Sequence, residues 1–194
     1  MLDLMEKNAL AAEAYDSDRR GFLKAGLFTA AALGFWTPAL AQAAVPNTGR
    51  IIRLQNPYTG EKFTGEYWYN GKYIPAAFAE IKKLMRDHRA NEQFPIDPRL
   101  MDILFVMHVR IKNAAPFDVL SGYRSPATNA RLRRRSEGVA RNSLHMTGQA
   151  IDLRLQGTRL TSLRSTAIDL KAGGVGFYPR SNFVHVDTGR VRHW

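Results

Sequence analysis

Three side chains in the second half of the sequence have the types and spacing to hold a metal ion. His145 is followed by Met-Thr-Gly-Gln-Ala-Ile and then Asp152, and His185 lies within Phe183-Val184-His185-Val186-Asp187. Gly148 and Ala150 are small enough for the backbone to fold close to an ion. Two imidazoles, one carboxylate and an open position for water are the recurring donor set of a catalytic zinc site. The chain has no cysteine, so thiolate ligands, a Cys nucleophile and disulfides are excluded and a metal has to be held by His and carboxylates. A His-x6-Asp spacing alone is weak, because most single histidines are hydrogen-bonded structural residues. Its weight comes from occurring together with Ser121-Gly122-Tyr123-Arg124-Ser125 and with the closing segment around His185.

These residues need elements to carry them. The pattern predicts strands between Arg50 and Ile74, with a turn at Tyr58-Thr59-Gly60-Glu61 and a hairpin at Asn70-Gly71, the strongest two-residue hairpin signal. Apolar residues at Phe78, Ile81, Leu84 and Met85 predict a helix over 75–89 with one buried face. Asp97-Pro98 predicts the N-cap and first position of a second helix running to about Lys112. Phe117 to Ser121 reads as a strand that delivers the Gly122 turn, followed by a basic helical turn over 128–135. His145 then ends a loop, Asp152 sits in a strand over 149–155, and a helix over 161–172 is ended by Gly173-Gly174. Strands over 175–178 and 183–187, joined around Pro179, bring His185 beside Asp152. Without βαβ regularity, the expected class is α+β: a single domain with a mainly antiparallel sheet.

Charge and the N-terminal segment bear on the partner. The 194 residues include 28 basic and 17 acidic ones, a formal charge of +11. Residues 1–41 hold four of the basic and five of the acidic residues, so the remainder carries about +12, and so basic a surface seeks a polyanion. Arg19-Arg20 stands before Phe-Leu-Lys and a mildly apolar run from Ala25 to Ala41, and Ala39-Leu40-Ala41 offers a small-x-small cleavage site. This order resembles a twin-arginine export signal over 1–41, leaving a domain over 42–194. The expectation is therefore a periplasmic protein with no stable membrane insertion after cleavage. Nucleic acid is then a poor partner, and the run Arg131, Arg133, Arg134 and Arg135 reads equally well as a solvated helix face.

Taken together, SGYRS, SLHMTGQAID and GGVGFYPRSNFVHVDTGRVRHW resemble the murein endopeptidases of the MepK type. These are zinc peptidases of the D-Ala-D-Ala group, whose wider set includes lysostaphin-like enzymes and the zinc-bearing hedgehog domain. The resemblance implies a hedgehog or D-Ala-D-Ala-peptidase-like fold and zinc as cofactor. The family's ligands fall on His145, Asp152 and His185, and its substrate-directed arginine on Arg124. A fixed, permanently charged donor suits that role; the alternative is an arginine that simply pairs with an acidic side chain. The implied reaction is hydrolysis of peptide cross-links in peptidoglycan, at D-Ala to diaminopimelate or at diaminopimelate to diaminopimelate, with stem peptides as the partner.

The sequence departs from the family where many relatives carry Glu or Asp three positions before the last ligand. Here the residue is Asn182, and an amide has no pKa in the range a general base needs. Asp187, two residues past His185 on the same strand face, is the nearest carboxylate and is expected to act as base or as the partner that orients a ligand. His193 is the weaker substitute. Two other readings remain: a D,D- or L,D-carboxypeptidase trimming stem peptides, and a non-catalytic, zinc-stabilised wall-binding protein.

Overall fold

The computed structural model describes residues 49–136 and 138–194. The expected export signal over 1–41 and the domain boundary at residue 42 lie outside the described residues. β1 (Arg50–Gln55) pairs antiparallel with β2 (Lys62–Tyr69), and β2 turns through Asn70-Gly71, both at positive φ, into β3 (Lys72–Tyr73). α1 (Pro75–Leu84) starts on its proline and buries Ala77, Ile81 and Leu84.

α1 ends five residues short of the expected Arg89. The Met85 carbonyl, which a longer helix would use internally, accepts the Tyr123 N–H at 2.7 Å. Asp87 turns inward, where its carboxylate accepts from the Ser125 N–H at 3.0 Å and from the Ser125 hydroxyl at 2.8 Å. The amphipathic stripe therefore outlasts the helix because its last residues are held by the Gly122 turn.

α2 (Pro98–Ile111) opens as expected: Asp97 caps it by accepting the Arg99 N–H at 3.0 Å, and Lys112 in the left-handed region closes it. β4 (Phe117–Ser121) leads into α3 (Pro126–Arg133), which Ser125 caps through the Thr128 N–H at 3.2 Å. After a 3-10 turn over Leu144–Thr147 come β5 (Ala150–Leu155), α4 (Leu160–Asp169), β6 (Gly174–Tyr178), β7 (Phe183–Asp187) and β8 (Arg192–His193). α4 stops before the expected Ala172, with Lys171 rather than a glycine in the left-handed region. Gly173 serves another purpose, since a Cβ there would collide with the Asp187 carbonyl oxygen.

The strands form one sheet in the order β3-β2-β1-β4-β5-β7-β6-β8, antiparallel except at β1–β4 and β6–β8. This is the α+β arrangement with a mainly antiparallel sheet. Strand alternation divides its central part. Ile151, Leu153, Val175, Val184 and Val186 join the buried core, which also holds Leu163 and Ala167 of α4. Ala150, Asp152, His185, Asp187, Gly174 and Gly176 take the alternate positions. Burying each large aliphatic side chain of the core contributes about 1.5–3 kcal/mol, and this anchors the opposite face, where the polar residues stand. Among the described residues no helix is long and apolar enough to cross a membrane.

The Gly122 turn is sterically closed: an added Cβ would collide with the Met85 carbonyl oxygen. Gly122→Ala is therefore expected to destabilise the domain by about 1–3 kcal/mol. Gly138→Ala, whose Cβ would find only the Ser136 hydroxyl at 3.6 Å, should stay near the parent. Urea unfolding of the two variants measures the difference.

Candidate metal centre

The β5–β7 register sets Asp152 directly opposite His185, and β6 extends the row with Gly176 opposite His185. Side chains of an opposed pair stand on the same face within contact distance, so two of the three expected residues are brought together by strand pairing alone. The third arrives from the 3-10 turn before β5. Its end is fixed by Gly148 at φ 65 and by the Gln149 N–H donating to the Leu144 carbonyl at 3.0 Å. The Arg124 N–H donates to the His145 carbonyl at 3.1 Å, tying the Ser121–Ser125 turn to this one. His145, Asp152 and His185 are 2%, 7% and 8% exposed.

His145 Nε2 lies 3.2 Å from Asp152 Oδ1 and 3.2 Å from His185 Nδ1, and His185 Nδ1 lies 2.8 Å from the same carboxylate oxygen. The far side of each ring settles what these atoms present. His145 Nδ1 is 2.7 Å from the Gly122 carbonyl and His185 Nε2 is 3.0 Å from Asp187 Oδ2. Both partners only accept, so each of those nitrogens carries a hydrogen and donates it. Two imidazole lone pairs and a carboxylate oxygen then face one another in a buried space, an arrangement that requires a cation. Without a metal the cation is a proton on His185. Burial works against that charge, but hydrogen bonds to Asp152 and Asp187 overcome it and raise the ring to about 9. Burial pushes His145 down. For Asp152 burial acts upward, yet the two imidazoles hold it below the usual carboxylate range. The donor set, the burial and the preset tautomers fit a divalent ion such as zinc. Among the described residues this is the one cluster of three metal-binding side chains.

Arg124 is 9% exposed and reaches Asp152 Oδ2 at 3.3 Å, the Ser121 hydroxyl at 3.2 Å and Asn129 Oδ1 at 3.5 Å. Its Nε has no hydrogen-bond partner, although the residue lines a cavity of about 310 Å³ beside the cluster. Of the two roles weighed for it, the contact seen is the pairing with an acidic side chain, and that side chain is Asp152.

Asp187 is completely buried and saturated with donors. Besides His185 it accepts from the Gly174 N–H at 3.0 Å, the Gly189 N–H at 2.9 Å, and Arg192 at 3.1 Å on one oxygen and 2.7 Å on the other. Desolvation acts upward on it, but these bonds prevail and keep the group well below the usual carboxylate range. Of the two roles expected for Asp187, the geometry is that of the orienting partner. His193 is exposed on β8 and does not line the cavity, whereas Arg192 and Trp194 on either side of it do; strand alternation turns it away. Asn182 is exposed in a left-handed conformation at the end of a 3-10 turn. Sequence reasoning did not find Arg192, Tyr178, Trp194 or the Gly122 carbonyl. The alternation of Arg192 and Trp194 around His193 carried a signal for two of them.

A family model described as peptidoglycan L,D-endopeptidase MepK matches residues 44–194. The peptidoglycan L,D-endopeptidase MepK of Escherichia coli strain K12 is 43% identical over 180 residues, covering 93% of this chain and 98% of that protein. A probable peptidoglycan L,D-endopeptidase MepK of Haemophilus influenzae is 39% identical over 180 residues, covering 92% and 96%.

Removing the carboxylate behind His185 tests how far the cluster depends on it. Asp187→Ala leaves Arg192 and two backbone N–H groups without their acceptor and is expected to cost about 3 kcal/mol. Asp187→Asn, which keeps one acceptor oxygen and the shape, should lose less. Unfolding in the presence of a chelator, so that ligand binding adds nothing to stability, gives the comparison.

Proposed function

The chain belongs to the family of MepK-type peptidoglycan L,D-endopeptidases, and from that premise we propose that it hydrolyses peptidoglycan peptide cross-links with one zinc ion held by His145, Asp152 and His185. The observation that carries the zinc assignment is the meeting of His145 Nε2, His185 Nδ1 and Asp152 Oδ1 within 3.2 Å of one another in a buried space. Bound there, zinc would supply an acidified water and a Lewis acid for the scissile carbonyl. The protein's own groups do the rest. The Gly122 carbonyl and Asp187 fix the two rings from behind, so that no reorientation is needed when substrate binds. With both carboxylate oxygens taken by donors, Asp187 holds His185 rather than receiving a proton from water. Arg124, anchored on Asp152 with its Nε unpaired, offsets the charge that develops on the tetrahedral carbon's oxygen.

The relatives' activity is L,D, and of the two cross-links weighed only the diaminopimelate to diaminopimelate one joins an L to a D centre. Free carboxylates flank that bond, and a chain of formal charge +11 suits them. Arg131, Arg133, Arg134 and Arg135 are all exposed, just before the loop that lines the cavity. Export through the twin-arginine route to the periplasm accords with this substrate. Its support is the order of charge, apolar run and small residues in 1–41, together with a family match that begins at residue 44.

Digestion of purified cross-linked sacculi, read as released muropeptides, tests the reaction. Activity is expected to stop with a chelator and return with zinc, while a carboxypeptidase would release only a terminal amino acid. His145→Ala should contain no zinc by elemental analysis; undiminished zinc would remove His145 from the site. Changing Arg19 and Arg20 together to Lys is expected to abolish periplasmic accumulation while leaving the domain folded, and normal accumulation would indicate another route.

A further inference from the structure

Two aromatic side chains at the rim of the cavity have no part in the scheme so far. Tyr178, the last residue of β6, lines the cavity together with Arg124, Asp152, His185 and Trp194. Its ring stacks on Phe183, with centroids 4.6 Å apart and planes 20° apart. Trp194 follows β8 and is sewn to β6 by its own backbone: the Phe177 N–H donates to its carbonyl at 3.0 Å and its N–H donates to the Val175 carbonyl at 3.2 Å. Its indole lies 5.4 Å from the His185 ring, and the Arg192 guanidinium sits 4.9 Å over it. The space for both rings comes from Gly176, where a Cβ would come within 2.8 Å of each.

The polar ends of these rings meet. Trp194 Nε1 donates to the Tyr178 hydroxyl oxygen at 2.8 Å. An indole N–H can only donate, so the tyrosine oxygen is the acceptor and its own hydrogen is left to be used elsewhere. Among the described residues no acceptor takes it. A half-buried phenol whose oxygen is held by a neighbour and whose O–H is free at the cavity wall is a preoriented donor, and it shares the cavity with Arg124. Preset donors aimed where negative charge develops are the largest single contribution to many hydrolytic reactions.

We propose that Tyr178 is a further catalytic residue, its O–H donating to the scissile carbonyl oxygen as that oxygen gains negative charge, and that Trp194 is the positioning residue that sets the direction of this donation. No proton is transferred: the hydrogen stays on the tyrosine and the bond strengthens in the tetrahedral state. The inference rests on the endopeptidase reading above. It adds a donor on the β6 side of the cavity to Arg124, which comes from the β4–α3 turn.

Tyr178→Phe keeps the ring and its stacking on Phe183 and removes only the donor. With a purified cross-linked muropeptide dimer as substrate, kcat is expected to fall about 100-fold, the loss seen when one such donor is removed. KM and zinc content should stay within about twofold, since the bond is made in the tetrahedral state. The phosphinate analogue of the cross-link, with tetrahedral phosphorus in place of the scissile carbonyl, should bind more weakly by the same factor, while the dimer binds the metal-free variant as it binds the metal-free parent. Trp194→Phe should lower kcat less, and the double variant should be no slower than Tyr178→Phe alone, because the indole acts only through the phenol. An unchanged kcat in Tyr178→Phe, or a loss confined to KM, would overturn the proposal and make Tyr178 a wall of the cavity. A parent protein that cleaves no dimer with zinc bound would instead overturn the endopeptidase reading, so the two failures are distinguishable.

Discussion

Two imidazole nitrogens and one carboxylate oxygen stand about 3 Å apart, an arrangement held only by a cation shared among them, whether a proton or a metal ion. Each ring is locked into that presentation by an acceptor behind it, a backbone carbonyl for His145 and a buried carboxylate for His185. Those two acceptors turn the inner edges of both rings toward Asp152 and make a shared cation the condition of the arrangement. Much of the surrounding architecture can be understood as what it takes to hold this arrangement against its own electrostatics.

The holding is distributed over the chain in a definite way. The antiparallel register between β5 and β7 sets Asp152 against His185 without any special loop. The Gly122 turn binds the end of α1 on one side and His145 on the other, through the Tyr123 N–H to Met85 and through its own carbonyl. Asp87 fixes Ser125 and so the start of α3, from which Asn129 reaches Arg124. Thr188, just past β7, donates to the Asp97 cap of α2 at 2.7 Å. Core packing on one face of the sheet and polar fastening on the other thus meet at the same strands.

What could be read from the sequence was what depends on local chemistry. Asn70-Gly71 and Asp97-Pro98 declare a turn and a helix start through conformational preference and a capping oxygen, and both stand where expected. Strand alternation around Asp152 and His185 was likewise enough to put them on one face. Tertiary hydrogen bonds were not legible. α1 ends early because Tyr123 takes the Met85 carbonyl, and Gly173 is small because of the Asp187 carbonyl rather than to end a helix. His193 drew notice as a titratable residue near the site, but β8 pairs with β6 in a register that turns it outward and its neighbours inward. Arg192, which engages both oxygens of Asp187, gave no signal of its own because an arginine in so basic a chain is unremarked.

The pairing of acids and bases around the cluster also bears on how strongly an ion would act there. Asp152 is matched by Arg124 and Asp187 by Arg192, so the two negative and two positive side chains cancel. A site that surrounded its ion with uncompensated carboxylates would hold it tightly and blunt it. Here the protein contributes donor atoms but almost no net charge, and a divalent ion would keep nearly its full double charge for whatever anionic or polarisable group enters the cavity. With an ion bound, the arginines behind the aspartates would thus act as a setting of electrophilic strength, exchanging some grip on the ion for a stronger pull on whatever enters the cavity.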